Sequence, residues 1–292
     1  MRPALRIALP ILVVALLASC DWFKPGPPDI KFAPDNADYR LKMDLAEIEY
    51  RYPLAPADLQ KITPENLAAL NQEQIDQIYA RLSAGPIPDG PYDGGILFPR
   101  GSSGEFRAAE IMGGLPGTAL QLKGIALDEV GESLWHGKVF YRDERVLRNR
   151  IDDLSALKKA GLVDGDPKKI SVDGKDAWLL FPAKLYCGQS LFDSRRESII
   201  IDYFFTDELP GYRQRPDYLA GRNGLQVRDE IRMVRPGFYL GRAYTGKVFL
   251  LNFTLYNAEV AERDGAAFTK SGEIKEDCWP GTQDRKLQTA GN

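Results

Sequence analysis

The chain has 292 residues, 44% of them hydrophobic and 27% charged, a composition that excludes an intrinsically disordered protein. Its 41 acidic residues against 38 basic ones give a formal net charge of −3 without a strongly basic block, which argues against nucleic acid as a partner. A single histidine, His136, and three cysteines, Cys20, Cys187 and Cys278, leave little room for a His- or Cys-rich metal centre or a metal cofactor.

Arg2 and Arg6 precede an apolar run from Ile7 to Leu17, broken by Pro10, that is shorter than the ~20 residues a membrane-spanning helix needs. The run ends in Leu17-Ala18-Ser19-Cys20, small residues leading into a cysteine, as at the cleavage site of an export signal. This stretch resembles the lipobox of bacterial lipoproteins. The resemblance implies a signal peptide over 1–19, cleavage before Cys20 and acylation of its thiol, with attachment to a membrane facing the periplasm. By the sorting rule of such proteins, Asp21 points to the inner membrane, while the choice between inner and outer membrane stays open. Acyl anchoring gains about 0.8 kcal/mol per buried CH₂ and needs more than one chain to be stable. With Cys20 acylated, Cys187 and Cys278 remain as an even pair in an oxidising compartment, either as a disulfide or as two free thiols.

Pro25, Pro27, Pro28 and Pro34 suggest an extended tether, and residues 20–57 are expected to hold the folded part off the membrane. A helical prelude follows over 58–84. Thr63-Pro64-Glu65 reads as a helix start with proline at the first position, and Asn71 to Gln74 as a capping box. Ile75, Ile78, Tyr79 and Leu82 then recur at helical spacing. The run from Gly85 to Pro91 ends the helix.

Strands are expected over 95–98, 138–141, 145–151, 177–186, 198–205, 226–234, 238–244 and 247–256, separated by Gly, Pro and Asp clusters. Residues 106–112 and 119–127 look helical or loop-like, and 154–160 reads as a turn or two of helix. Tyr244-Thr245-Gly246-Lys247 suits a tight hairpin. The polar residues 259–292 read as a poorly ordered tail. The sum is a mainly β domain over 85–258, an antiparallel barrel or sandwich of about eight strands behind a helical prelude.

Four stretches carry a further resemblance: Trp135 to Phe140 (W-x-G-K-x-F), Asn149-Arg150-Ile151, Asp193 to Tyr203, and Arg228 to Arg232 leading to Pro236 through Gly241. Their order is similar to that in a group of bacterial proteins resembling calycins, the lipocalin-like barrels, and the first stretch is similar to part of GXWXG-type domains. The resemblance implies a barrel able to hold a small apolar ligand.

Side chains alternate faces along a strand. Asp202 therefore shares a face with Ile200 and Phe204, and Asp229 shares one with Ile231 and Met233, while Arg232 lies opposite with Arg228 and Glu230. A buried carboxylate needs a cation or hydrogen-bond donors. One reading is a polar patch of Lys138, Asp202 and Arg232 orienting the head of an apolar or amphipathic ligand such as a lipid. Trp135, Phe140, Asn149, Tyr186, Phe204, Asp229 and Tyr239 would complete that lining. The other reading, and the commoner case, is an ion-pair network that fixes strand register. Arg195-Arg196-Glu197 reads as a solvated hairpin corner.

No catalytic residue is assigned. His136 has no Gly-x-Ser-x-Gly partner, Asp164-Gly165-Asp166 lacks the later ligands of a calcium loop, and no phosphate-cradling loop or cofactor motif is present. Two classes of function stay open besides a hydrolase or isomerase using Asp202 as base. One is a ligand-binding envelope lipoprotein, and the other is a structural lipoprotein with a side-chain-filled barrel whose helices over 58–84 dock a protein partner.

Overall fold

The computed structural model describes residues 25–99 and 135–281, apart from positions 160, 166 and 173. Cys20 and Asp21 and the stretches 106–112 and 119–127 lie outside the described residues.

Among the described residues nine strands form one sheet: β1 (Gly90–Leu97), β2 (Trp135–Tyr141), β3 (Val146–Ile151), β4 (Lys169–Val172), β5 (Lys175–Gln189), β6 (Glu197–Asp202), β7 (Val227–Arg235), β8 (Phe238–Thr245) and β9 (Val248–Tyr256). Every pairing is antiparallel. Leaving out β4, each strand pairs with the next in sequence, β3 pairs with β5, and β9 returns to β1 through Asp93↔Tyr256 and Leu97↔Asn252. The result is a closed eight-stranded up-and-down barrel. Closure leaves none of these eight strands with a free edge to template aggregation. The missed strand β4 is a four-residue hairpin extension of β5, paired only through Lys169–Val172. It is too short to show alternation in the sequence.

Inward-facing side chains fill the barrel. Along β7, Asp229, Ile231 and Met233 point in, and Ile231 and Met233 join Tyr92, Phe140, Leu147, Ile199, Ile201, Tyr239, Phe253 and Leu255 in the main core. Val234 on the other face of β7 packs in a second core with Phe238, Leu240 and the helical prelude.

The prelude consists of α1 (Leu45–Arg51), α2 (Pro56–Gln60), α3 (Pro64–Leu67) and α4 (Gln72–Ala80). Thr63 Oγ1 accepts from the Asn66 amide at 3.2 Å, and Asn71 Oδ1 from the Gln74 amide at 2.9 Å, while Asn66 and Gln74 return the bond to the Thr63 and Asn71 amides. These reciprocal bonds satisfy otherwise orphaned helix-end donors. Ile75, Ile78, Tyr79 and Leu82, spaced for one helical face, are all buried against the outer surface of β7 and β8.

Two segments differ from expectation. Within 20–57, the expected tether, the chain packs on the domain from Pro28 onward. Ile30 and Phe32 join the second core, and the Ala33 amide and carbonyl bond the Gln77 side chain at 2.9 and 3.2 Å. Proline density predicts extension correctly, but an extended strap can still dock. The tail expected to be poorly ordered instead begins with a 14-residue helix, α6 (Ala258–Ser271), preceded along the chain by the single turn α5 (Ser155–Lys159). Asn257 caps its start by accepting from the Val260 amide, and Gly272 ends it at φ +69°.

Beyond α6 the chain returns to the barrel. Asp277 Oδ2 accepts from the Ile87 amide at 2.9 Å, and the Trp279 amide donates to Glu197 at 2.9 Å. A disulfide between Cys187 on β5 and Cys278 fastens this return, with Cα atoms 5.3 Å apart.

Candidate functional site

Six of the ten residues expected to line a ligand site face the barrel interior or its ends: Trp135, Lys138, Phe140, Asn149, Asp229 and Tyr239. Four do not. Tyr186 and Asp202 sit together on the outer face, where the Tyr186 hydroxyl donates to Asp202 Oδ2 at 2.6 Å. Phe204 is 38% exposed and packs edge-on against Phe205. Arg232 is fully buried, yet under the helical prelude. The expected patch of Lys138, Asp202 and Arg232 is therefore not assembled. Alternation assigns residues to faces, but it does not say which face is the lumen or what covers the other.

Lys138 is the centre of the inner group. Its Nζ donates to Asn149 Oδ1 at 2.9 Å, the Tyr203 hydroxyl at 2.7 Å and Asp229 Oδ2 at 3.0 Å. An ammonium has three donors, so all three are used. Trp135 Nε1 also donates to Asn149 Oδ1 at 2.8 Å, and the rings of Trp135, Tyr203 and Phe253 surround Nζ at 5.2–5.3 Å from their centroids. Burial works against the charge on Lys138, but Asp229 and Tyr203 outweigh it and hold Lys138 above the usual lysine value. Burial lifts the Asp229 carboxyl above the usual carboxylate range against the pull of Lys138. Burial also pushes the Tyr203 phenol to about 12, so it stays a hydroxyl at neutral pH. This cluster is saturated by its own side chains. It closes the lumen at its level and leaves no donor of Lys138 for a ligand.

The outer network is equally self-contained. Arg232 donates to Ser198 Oγ at 2.9 Å, Asp193 Oδ2 at 2.9 Å and the Tyr79 carbonyl at 3.1 Å, with its guanidinium 4.7 Å from the Tyr79 ring centroid. Arg195 and Arg196, expected as a solvated corner, instead pair with Glu49 of α1 at 2.9 and 2.5 Å. The Asp-Ser turn is real, but a helix distant in sequence covers it. These pairs hold the prelude on the barrel.

A cavity of about 550 Å³ opens at one end of the barrel, between the strap from Pro86 to Tyr92, the β7–β8 turn, α6 and the returning tail. Its apolar lining includes Met233, Tyr239, Val260, Phe268 and Ile274, and its charged lining includes Arg142, Arg263, Lys275, Asp89, Asp264 and Glu273. The Tyr239 hydroxyl is used in a 2.6 Å bond to the Pro86 carbonyl. Of the residues expected from the sequence, only Tyr239 is in this groove. Tyr92 lies just past a run that reads as a helix terminator, and Arg142 in a turn. Neither carries a local signal that the C-terminal chain folds back over it.

No protein-family profile matches the chain, and no curated protein does. Among solved structures, the crystal structure of a protein from Thermomonospora curvata is similar, with a TM-score of 0.31 and 17% identity, covering 64% of this chain and 87% of that chain.

Among the described residues, no helix is long and apolar enough to cross a membrane. Cys187, Cys278 and Glu197 cluster closely, but the two sulfurs are bonded to each other and are not thiolate ligands for a metal.

Proposed function

We propose that the protein is an envelope lipoprotein, carried on an acylated Cys20, that binds a small amphipathic molecule at the α6 end of its barrel. The observation that carries the binding reading is the 550 Å³ groove, whose size falls within the roughly 300–1,000 Å³ of small-molecule sites. Its floor is apolar and its rim charged, a division that matches an apolar body with a polar head. The saturated Lys138 cluster moves the site from the lumen to the mouth. The anchoring reading rests on Leu17-Ala18-Ser19-Cys20 and the apolar run before it.

Native mass spectrometry and solvent extraction of the protein purified from its own envelope test the binding reading. A bound amphiphile released on unfolding is the expected result, and a consistently ligand-free protein would overturn it. Metabolic labelling with a radioactive fatty acid tests the anchor. Label should enter the wild type and not Cys20→Ser.

A second reading, a structural lipoprotein docking a protein partner, is favoured by the filled lumen and by the exposed Leu41, just before α1, and Tyr50 on α1. Cross-linking in the envelope from position 50 should then capture a defined partner, and failure to capture one would count against it.

A further inference from the structure

The groove has two hydrogen-bonding groups with donor capacity left over after their bonds within the protein. Tyr92 is only 3% exposed, its ring held edge-to-face by Phe140 and Tyr239 at 5.5 and 5.8 Å. Its hydroxyl has no hydrogen-bond partner among the described residues. Tyr92 itself lines the groove, together with the charged groups that act on its hydroxyl, Arg142, Arg263, Asp89 and Asp264. Burial pushes this phenol to about 12, which leaves it a donor at neutral pH.

Arg142 is the second group. Its Nε donates to the Ile87 carbonyl at 2.5 Å, which fixes the guanidinium, and it has no acidic partner within ion-pair distance among the described residues. The other two cations are committed. Arg263 is chelated by Asp264 at 2.9 and 2.8 Å, and Lys275 pairs with Asp277 at 3.0 Å. The remaining acids, Asp89 and Glu273, are exposed, and Asp89 accepts from the Arg142 amide at 3.2 Å. Solvent screens charges at such a rim far more than those at a buried floor. The less exposed pair, Arg142 and Tyr92, therefore decides the preference of the site.

Resting on the groove reading above, we propose that the site takes an anionic amphiphile. Its carboxylate or phosphate monoester is held between the Arg142 guanidinium and the Tyr92 hydroxyl, and its chain lies along Met233, Val260, Phe268 and Ile274. A planar guanidinium and a neutral phenol both donate to an oxyanion, and neither can accept from it.

Calorimetric titration of the purified protein with decanoate, decyl phosphate and decanol at neutral pH tests this. At least one anion should bind about tenfold or more tightly than decanol, the effect expected of one charge-assisted hydrogen bond. The anion that binds more tightly identifies the head group. Arg142→Gln should bring the anions to the affinity of decanol and so remove the preference for a charged head group. Tyr92→Phe removes only a hydroxyl without an internal partner, so it preserves the fold and should produce a smaller loss confined to the anions. Equal binding of all three compounds, or a preference for anions that survives both variants, would overturn the head-group assignment and leave the groove reading standing. Absence of binding by all three would remove both.

Discussion

Lys138 Nζ and Asp229 Oδ2 meet at 3.0 Å from opposite walls of the barrel. In the closed order of strands, β2 and β7 are separated by three strands in either direction, so this ion pair spans the lumen. Small eight-stranded barrels either fill their interior with side chains or hold one small ligand, and at this level the first solution is used.

The pair predicts a large, non-additive effect of mutation. Lys138→Met leaves Asp229 buried without its cation, and Asp229→Leu leaves an unpaired ammonium, each expected to cost about 3–5 kcal/mol of unfolding free energy. The double variant removes both charges and should lose well under the sum. Urea unfolding of the four proteins measures this cycle. Additivity to within about 0.5 kcal/mol would show that the two groups do not act as a pair.

Next to this cluster the backbone is tightly constrained. Gly137 sits at φ +133° beside a bulge in β2, and a Cβ there would lie 2.0 Å from the Tyr92 carbonyl oxygen. Gly246, in the β8–β9 turn at φ +56°, has open space around its missing Cβ. Gly246→Ala should thus cost about 1–2 kcal/mol from the left-handed conformation alone. Gly137→Ala must also displace β1 and should lower the melting temperature by much more. Equal shifts in the two variants would contradict the close packing of β1 against β2.

These contrasts show what local pattern reveals and what it does not. Seven of the eight barrel strands are legible because period-2 alternation and Gly/Pro punctuation are local properties. In β1 only 95–98 is expected, since its Gly- and Pro-rich first half, Gly90 to Gly94, hides the strand. The α3 and α4 caps are legible because Thr63, Asn71 and their partners are three residues apart. The α6 helix had signals at both ends, Asn257 and Gly272, but its large apolar residues are Val260 and Phe268 alone, and of these Phe268 is buried, so little bulk marks its face in the sequence. The groove is the least legible feature. It depends on Tyr92, Arg142 and Ile274 meeting, and residues so far apart in sequence share no periodicity. Arg232 shows the same limit: its face was predictable, but the helix covering that face was not.

The return of the tail makes a prediction about redox conditions. The Cys187–Cys278 bridge closes a loop with a sequence separation of 91 residues, for which loop-closure entropy suggests a stabilisation in the range of about 2–5 kcal/mol. The same bridge holds the wall of the groove formed by Glu273, Ile274 and Lys275. Cys278→Ala or reduction should speed amide exchange at Asp277 and Glu197, whose amides bond the Gly85 and Trp279 carbonyls. Exchange at the centre of β8 should change little. Unchanged protection at Asp277 would mean that hydrogen bonds alone hold the tail.

Asp193 is the acid-sensitive partner of Arg195 and Arg232, the two arginines that bond prelude groups at Glu49, Ala80 and Tyr79. Burial alone would raise its carboxyl, but Arg195 and Arg232 outweigh burial and hold it below its ordinary value of 3.8. A depressed carboxylate stabilises the fold fully above its unfolded value and loses that contribution as pH falls through its folded one. The window thus lies below about pH 4, where the unfolded chain binds the proton first. At neutral pH, Asp193→Asn should cost about 3–5 kcal/mol, because Arg232 stays fully buried without a counter-charge. The wild type alone loses stability on acidification from this group, so the gap between the two proteins should narrow as pH drops below that window. Unfolding measured at pH values on both sides of it checks the sign, and a gap that widened in acid would mean that Asp193 is not held as the carboxylate.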